Sequence, residues 1–420
     1  MKIAIVGTGI SGLVAAHKLA PEHEIVVYEA SGRIGGHTNT VAVEAEDGTH
    51  RIDTGFIVFN DRNYPNFERL LARLGVASQP STMSFSVSAV DEDFEYAGTP
   101  RGLLVQPGNL TRPAFVRMVG EYVRFNRDAR VLLASGDDRT SLADWLAQLR
   151  YSDAFVRRLI VPQASAVWSA DTRQMWSLPA RFLVTFFHNH GMLSLIGRPR
   201  WRTVAGGSAR YVDALTAPFT DRLRLRTPVE RIERLDDHVL VTPRGGEPER
   251  FDEVVLATHA DQSLAMLADA SAREHEILGA IPYQPNEAVL HTDRSLLPRR
   301  RAAWSSWNYH LLDEPTGPST VTYHMNTLQR LSSKHELCVT LNRSAAIDPA
   351  KVIATIPYAH PVFTGEGWRA QARHVEISGV NRTHYCGAYW RWGFHEDGVL
   401  SGLNAVEGIP ATAHTGALAA

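Results

Sequence analysis

The sequence predicts an α/β chain in two parts, a doubly wound dinucleotide-binding domain and an α+β domain inserted into it. Three observations carry this. From Met1 to Thr40 an apolar run, a GxGxxG turn, a helical stretch, a second apolar run and an acid follow in order. That βαβ rhythm disappears from Asp61 to about Pro199, and again from Asp261 to about Val375. It returns twice, after Trp201 and after Thr383, each time with glycines leading into a helical stretch. The expected nucleotide domain is therefore discontinuous, covering 1–60, 200–260 and 380–412, with 61–199 and 261–379 as the inserted part.

Ile3 to Val6 is a run short enough for a buried parallel strand. Gly7 permits the tight turn, Gly9 lets the backbone approach a pyrophosphate, and Gly12 lets the helix pack close to the strand. Ile10 and Ser11 stand where helix amides face the phosphates, and Leu13 to Leu19 reads as the helix body. Glu24 to Tyr28 is the second strand. Glu29, seventeen positions after Gly12 and followed by Ala30, is placed to accept from ribose hydroxyls. Val41 to Asp53 reads as a hairpin turning at Glu46-Asp47-Gly48 and delivering Asp53-Thr54-Gly55.

In the inserted part, Tyr64 to Leu74 has the helical period, with Phe67, Leu70, Leu71 and Leu74 on one face. Arg112 to Ala134 is a longer helix in which Arg112, Arg117, Arg124, Arg127 and Arg130 alternate with Phe115, Val116, Val119, Tyr122 and Val123. It reads as a solvated face, with a membrane-surface role as the alternative. Leu142 to Ile160 continues the helical pattern until Val161-Pro162 breaks it. The glycine pair Gly206-Gly207 then leads into a helix at Tyr211 to Leu215. Leu223 to Val229, Val239 to Thr242 and Phe251 to Thr258 read as strands. Glu287 to His291, Thr320 to His324 and Leu337 to Leu341 are expected in an antiparallel sheet beneath a substrate cavity. Thr383 to Tyr389 is a strand, Gly393 to Gly402 a glycine-punctuated helix start, and Ala411 to Ala420 a frayed tail.

Composition narrows the class. The 420 residues suffice for two or more domains, and 44% hydrophobic content supplies sizeable cores. A net charge of −2 argues against a dedicated nucleic-acid binder. Cys338 and Cys386 form no disulfide framework and have no metal-ligand spacing, so no metal site is expected. The first strand starts at Lys2, which leaves no room for a cleavable signal peptide, and no apolar run reaches the roughly 18 residues of a membrane span. The expectation is a cytoplasmic protein, with peripheral contact at the inner membrane left open.

Beyond the acid, Ser31-Gly32-Arg33-Ile34-Gly35-Gly36-His37, followed by Thr38, resembles the second glycine-rich motif of glutathione-reductase-type flavoproteins. In those proteins the arginine and paired glycines lie along the FAD pyrophosphate and ribityl chain, so the resemblance implies FAD. Asp53-Thr54-Gly55, Pro228-Val229-Glu230, Ala257-Thr258 and Gly393 to Gly402 extend it to the flavin-containing amine oxidase and phytoene desaturase superfamily over nearly the full length. That likeness implies Gly55 beside the flavin, Val229 at the adenine, Ala257 near the dinucleotide, and Glu396, Asp397 and Val399 at the flavin. More narrowly, Phe186 to Leu193, Trp304 to Tyr309, Thr322 to Asn326 and Cys386 to Trp390 resemble bacterial NAD/FAD-binding proteins associated with cyclopropane-fatty-acid-synthase-like methyltransferases. A lipid or fatty acyl substrate and a methyltransferase partner are implied. The chain departs from the amine oxidases in having no lysine near its central segments and no clean aromatic pair among Tyr389, Trp390 and Trp392.

The chemistry that fits is desaturation of an unsaturated or methyl-branched acyl chain. Flavin N5 takes a hydride while a base takes the neighbouring proton. His188 and His190 are the clustered candidates, with Tyr309 beside them as a catalytic candidate, and a structural role for the histidines stays open. One intervening residue sets the two histidines about 200° apart on a helix, so only one of them reaches a cavity. Trp304, Trp307, Asn308 and Tyr389 are candidates to line an acyl tunnel, against a plain core role. Alternative readings are a redox-neutral double-bond isomerase, an amine oxidase, and a flavin-loaded accessory to a lipid methyltransferase.

Overall fold

The apolar run at the start of the chain becomes the middle of a parallel sheet. In the computed structural model, which describes residues 1–89, 92–169, 171–194, 197–312 and 317–410, β1 (Lys2–Val6) leads through the glycine turn into α1 (Ile10–Leu19) and β2 (Glu24–Tyr28). Ile3, Ala4 and Ile5 are wholly buried because both faces of a parallel strand are covered. The helix starts three residues before the expected Leu13, since Ile10 already packs in the core. The hairpin forms as β3 (Asn39–Ala45) and β4 (Gly48–Gly55), with Ala45 opposite Gly48. The tail expected at 411–420 lies outside the described residues.

The chain continues through α2 (Pro65–Arg73), β5 (Phe85–Ala89), β6 (Phe94–Ala97), α3 (Pro113–Ser135) and α4 (Ala180–Asn189). The helical pattern expected over Leu142–Ile160 is interrupted after Gln148, and the break expected at Val161-Pro162 does not occur, since Asp153 to Trp168 runs on through Pro162. The physical reason is a π turn just before the proline, in which the Val161 amide bonds to Val156 O. Pro162 has no N–H to offer the carbonyl four residues back, and Arg158 O accepts instead from Tyr96 Oη at 2.6 Å.

The remaining elements are β7 (Leu223–Arg224), β8 (Val229–Arg234), β9 (Glu253–Leu256), β10 (Tyr283–His291), β11 (Trp307–Leu311), β12 (Val321–His324), β13 (Cys338–Leu341), β14 (Val352–Pro361), β15 (Thr383–Tyr385) and α5 (His395–Glu407). A five-stranded parallel sheet has the order β7–β2–β1–β9–β15. The strand expected over Leu223–Val229 divides. Arg226, at a φ of +52°, turns the chain between β7 and β8, and β8 opens a separate antiparallel layer.

A seven-stranded sheet has the order β14–β10–β13–β12–β11–β5–β6 and is antiparallel except where β11 runs parallel to β5. It draws β5 and β6 from the segment that the sequence reads as mostly helical. One large apolar cluster fills the space between this sheet and helices α3 and α4, from Val87, Tyr309 and Val339 to Phe125, Phe186 and Phe187. Helix α2, which the sequence division assigns to the inserted part, buries Phe67 and Leu71 in the core around β1 and α1.

Candidate functional site

Two glycine loops meet at the end of β1. Gly7 adopts a φ of +102°, and Ala257, just past β9, closes over the turn. A Cβ on Gly12 would lie 2.9 Å from the Ala257 Cβ and collide with Gly7 O. The loop Arg33 to Thr38 lies against this turn: Gly35 bridges to Gly9, and a Cβ on Gly36 would come within 2.9 Å of Gly9 Cα. Over Gly9 itself a Cβ would meet nothing within 4 Å. Helix α1 begins there with no side-chain cap and no acid in its first turn, so the amides of Ile10, Ser11 and Gly12 present a positive end to an anion. Glu29, at the end of β2, accepts from the Thr8 amide at 3.1 Å, the Ser31 amide at 2.8 Å and the Thr8 hydroxyl. Open space above Gly9, first-turn amides and a carboxylate at the strand end are what the diphosphate and ribose of a dinucleotide such as FAD require.

Several other expected cofactor residues have different tasks. Arg33 donates to Gly36 O at 2.6 Å and Thr38 O at 2.8 Å, so its guanidinium shapes the second loop, and Ala30 is exposed. Thr38 Oγ1 meets Tyr211 Oη at 2.5 Å in the interior. Gly55 lies beneath His37, whose carbonyl a Cβ at Gly55 would strike. Val229 is buried with Tyr28, Val241 and Leu256 at the start of β8.

Helix α5 runs beside α1 in the same direction, Gly398 facing Ile10 and Gly402 facing Ser11 O at a would-be 2.5 Å. The two helix N-termini are thus neighbours, and Val399 is buried between them in the core instead of facing a ligand. Glu396 is a correction of the same kind. Its carboxylate accepts from the amides of Asn66 and Phe67 at 3.0 Å and from Asn66 Nδ2 at 2.5 Å, which commits it to the N-terminus of α2. Asp397 accepts from the Phe394 amide at 3.0 Å and stands 3.6 Å from the Arg391 guanidinium. Burial raises its carboxyl to about 6.

Between the C-terminal end of α4 and the N-terminal ends of α2 and α5 is a cavity of about 180 Å³, lined by Asn63, Tyr64, Asn189, His190, Arg391, Trp392, Phe394, Glu396 and Asp397. His190 stacks on Phe186 with centroids 3.9 Å apart, and its Nδ1 lies 3.0 Å from Phe186 O. That carbonyl can only accept, so Nδ1 carries the proton and Nε2 is the acceptor nitrogen. Burial lowers the imidazole to about 4. In the same wall Tyr64 Oη and Asn63 Oδ1 are buried without a hydrogen-bond partner in the protein.

His188 faces solvent, as the divergence of the pair on α4 requires, and is not a base for this cavity. Tyr309 is buried in the sheet with its hydroxyl 3.3 Å from Ser165 Oγ, away from the cavity lining. Of the expected tunnel residues, Trp307 packs edge-on to Tyr323 at 5.1 Å in the large apolar cluster. Trp304 lies outside that cluster, under Arg301, with its indole N–H on Pro298 O. Asn308 spends its amide on Ser86, Ser305 and Thr322 and holds strands together. Tyr389 is buried with Trp390 and Tyr283 against the other face of the parallel sheet, because Gly387 makes room for its ring.

The sequence reading missed a histidine group. His259 and His360 lie 5.6 and 5.4 Å from His37 by ring centroid, Tyr358 stacks on His37 at 5.0 Å, and Tyr283 stacks on His259 at 4.3 Å. Desolvation lowers His37 and His259 to about 4 and His360 to about 3. Phe56, held at a φ of +54°, packs edge-on to His395 at 4.7 Å. A signal did exist: His37 closes the second glycine motif and stands among the expected cofactor residues, and Phe56 and His259 each follow directly on a segment already singled out. His360 gave none, because β14 was not foreseen.

A family model described as flavin containing amine oxidoreductase matches residues 10–323. A probable zeta-carotene desaturase of Synechococcus elongatus is 26% identical over 271 residues, which are 59% of this chain and 53% of that protein. The flavin-dependent L-tryptophan oxidase RebO of Lentzea aerocolonigenes is 26% identical over 278 residues, 58% of this chain and 54% of the relative. The chain thus spans about half the length of the curated relatives it matches. Among solved structures, the CLA-producing fatty acid isomerase from P. acnes superposes with a TM-score of 0.69 at 17% identity, over 96% of this chain and 97% of that one.

Proposed function

The chain belongs to the flavin containing amine oxidoreductase family and its cofactor is FAD; on that premise we propose that it desaturates an unsaturated or methyl-branched fatty acyl chain. The observation that carries the reading is the cavity at the start of α5, where the neutral imidazole of His190 and the rings of Trp392 and Phe394 stand among Asn63, Asn189, Arg391, Glu396 and Asp397, with no lysine. Bound FAD supplies the two-electron acceptor. The amides of Ile10 to Gly12 would hold its diphosphate and Glu29 its ribose, and the N-terminus of α5 would face the electron-rich pyrimidine edge.

The chain's own share of the reaction is to seat the acyl chain, exclude water and take one proton. Trp392 and Phe394 line the cavity and also pack against the large apolar cluster, which supports entry of an apolar chain from that side. A hydride leaves one carbon, the proton leaves its neighbour for His190 Nε2, and a double bond forms between them. The four lysines speak against amine chemistry of the lysine-assisted kind. Lys2 lies over Phe251, Lys18 and Lys334 are exposed, and Lys351 pairs with Asp293.

The test is anaerobic mixing of the yellow protein with methyl-branched or polyunsaturated lipid, following flavin absorbance and product mass. Bleaching with loss of two hydrogens from the lipid is expected. Unchanged mass with moved double bonds would convert the reading to isomerisation, bleaching by amines alone would make the protein an amine oxidase, and silence towards all of them would leave the accessory role.

A further inference from the structure

The outward face of α3 is apolar and cationic at once. Residues three and four apart share a helix face, which puts Val116, Gly120, Val123, Arg127, Arg130 and Val131 on one stripe. Met118, Phe125, Ala129 and Leu132 occupy the opposite, buried stripe. Val116, Val123 and Val131 are 52%, 63% and 66% exposed, and Leu104 and Leu110, just before the helix, are 54% and 50% exposed. Five of the eleven exposed large hydrophobic side chains among the described residues therefore lie in this one stretch. From Arg112 to Ser135 there are five arginines against Glu121 and Asp128. Glu121 is buried and takes Arg117 at 3.1 Å and Arg124 at 3.7 Å; Asp128 takes Arg127 at 3.1 Å. The face keeps a net positive charge.

We propose that this face docks the protein on the surface of an anionic phospholipid bilayer. The valines and leucines would enter the boundary between headgroups and acyl chains, and the arginines would meet lipid phosphates. The mixture selects this occupant. The exposed apolar side chains here are valines and leucines, without the aromatic or methionine anchors that fill the core of a protein interface, and a second copy facing itself across a two-fold axis would set arginine against arginine. No helix among the described residues is long and apolar enough to cross a membrane, so the contact is one of surface. It is also mechanically joined to the cavity. Tyr122 Oη donates to Met192 O at 2.8 Å and Arg130 to Leu193 O at 3.4 Å, two and three residues after His190. The docking stands on exposure and charge and not on the desaturase reading.

The experiment is sedimentation of the FAD-loaded protein with vesicles of phosphatidylcholine alone, or with about a quarter phosphatidylglycerol, at low salt and at about 0.5 M salt. Binding to the anionic vesicles is expected, about tenfold weaker or more on neutral vesicles and at high salt. Val116→Asp with Val123→Asp, and separately Arg127→Glu, each reduce binding severalfold, about tenfold for the valine pair, with flavin absorbance and melting temperature unchanged. Failure of the wild type to sediment with anionic vesicles, or sedimentation of both variants like wild type, overturns the proposal. So does a dimer in light scattering that the valine pair splits, which would assign the face to a second copy. Turnover of detergent-dispersed lipid is unaffected by any of these outcomes, which separates this test from that of the chemistry.

Discussion

At the scale of the residue, the pair His188 and His190 shows how much one helical step decides. Both lie in α4, yet one faces solvent and the other stacks on Phe186 with its proton fixed on Nδ1. His188→Ala is expected to leave stability within about 0.5 kcal/mol and the rate of flavin bleaching unchanged. His190→Phe keeps an aromatic ring stacked on Phe186 but removes both ring nitrogens, the donor to Phe186 O and the acceptor. It should fold, bind FAD as the wild type does, and slow bleaching by lipid about a hundredfold or more. Stopped-flow absorbance at 450 nm, about the flavin maximum, reads both, and an undiminished rate in His190→Phe would remove the imidazole from the chemistry.

At the scale of the element, the carboxylate of Glu396 acts on a helix more than 300 residues away, since α2 starts with an unfilled set of amides and no cap of its own. Glu396→Gln should cost about 1–2 kcal/mol of stability in urea denaturation, equally with and without FAD. A loss confined to the FAD-loaded form would return Glu396 to the cofactor. This pairing also marks where sequence reading ends. β1, α1, β2 and the hairpin were legible because spacing within forty residues dictates them, and glycines must stand where backbones close in. Gly398 and Gly402 were equally visible, but what they pack against is not local. Glu396 therefore read as a ligand residue when its partners are the amides of Asn66 and Phe67. β5 was missed although Phe85-Ser86-Val87-Ser88-Ala89 alternates apolar residues with serine, because five such residues stand among longer helical patterns and the partner that makes them a strand, β11 in parallel register, is more than 200 residues away.

At the scale of the whole molecule, titration sets a condition on the fold. His37, His190, His259, His360 and His395 are desolvated to between about 3 and 4, whereas an unfolded chain protonates histidine near 6.5. Between about pH 6.5 and 4 the unfolded chain holds more protons at these sites, so stability rises with pH and is lost as pH falls, by about 1.4 kcal/mol per pH unit for each such group. Asp53, raised to about 7 by burial, and Asp397, raised to about 6, act in the opposite sense, because the folded chain keeps their protons longer. His291 and His310, lowered by burial to about 4 and about 3, act with the other histidines, and these groups against the two carboxyls leave a net uptake of about four protons on unfolding at about pH 5.5. Urea midpoints measured at about pH 7.5, 6.5 and 5.5 should fall in that order, and a flat series would mean that these imidazoles are reached by water.

The contact of α5 with α1 bears on the life of the nascent chain. A ribosome delivers residues in order, and the helix that lies against Ile10 and Ser11 is composed of residues 395–407. Until those residues emerge, the first glycine loop has one of its two supporting helices missing, so a partly synthesised chain has no finished cradle to load. Cofactor capture then waits for α5 to emerge. Stalling translation before residue 395 should give nascent chains that protease cuts within the first forty residues and that FAD fails to protect, while the released full chain becomes resistant when FAD is added.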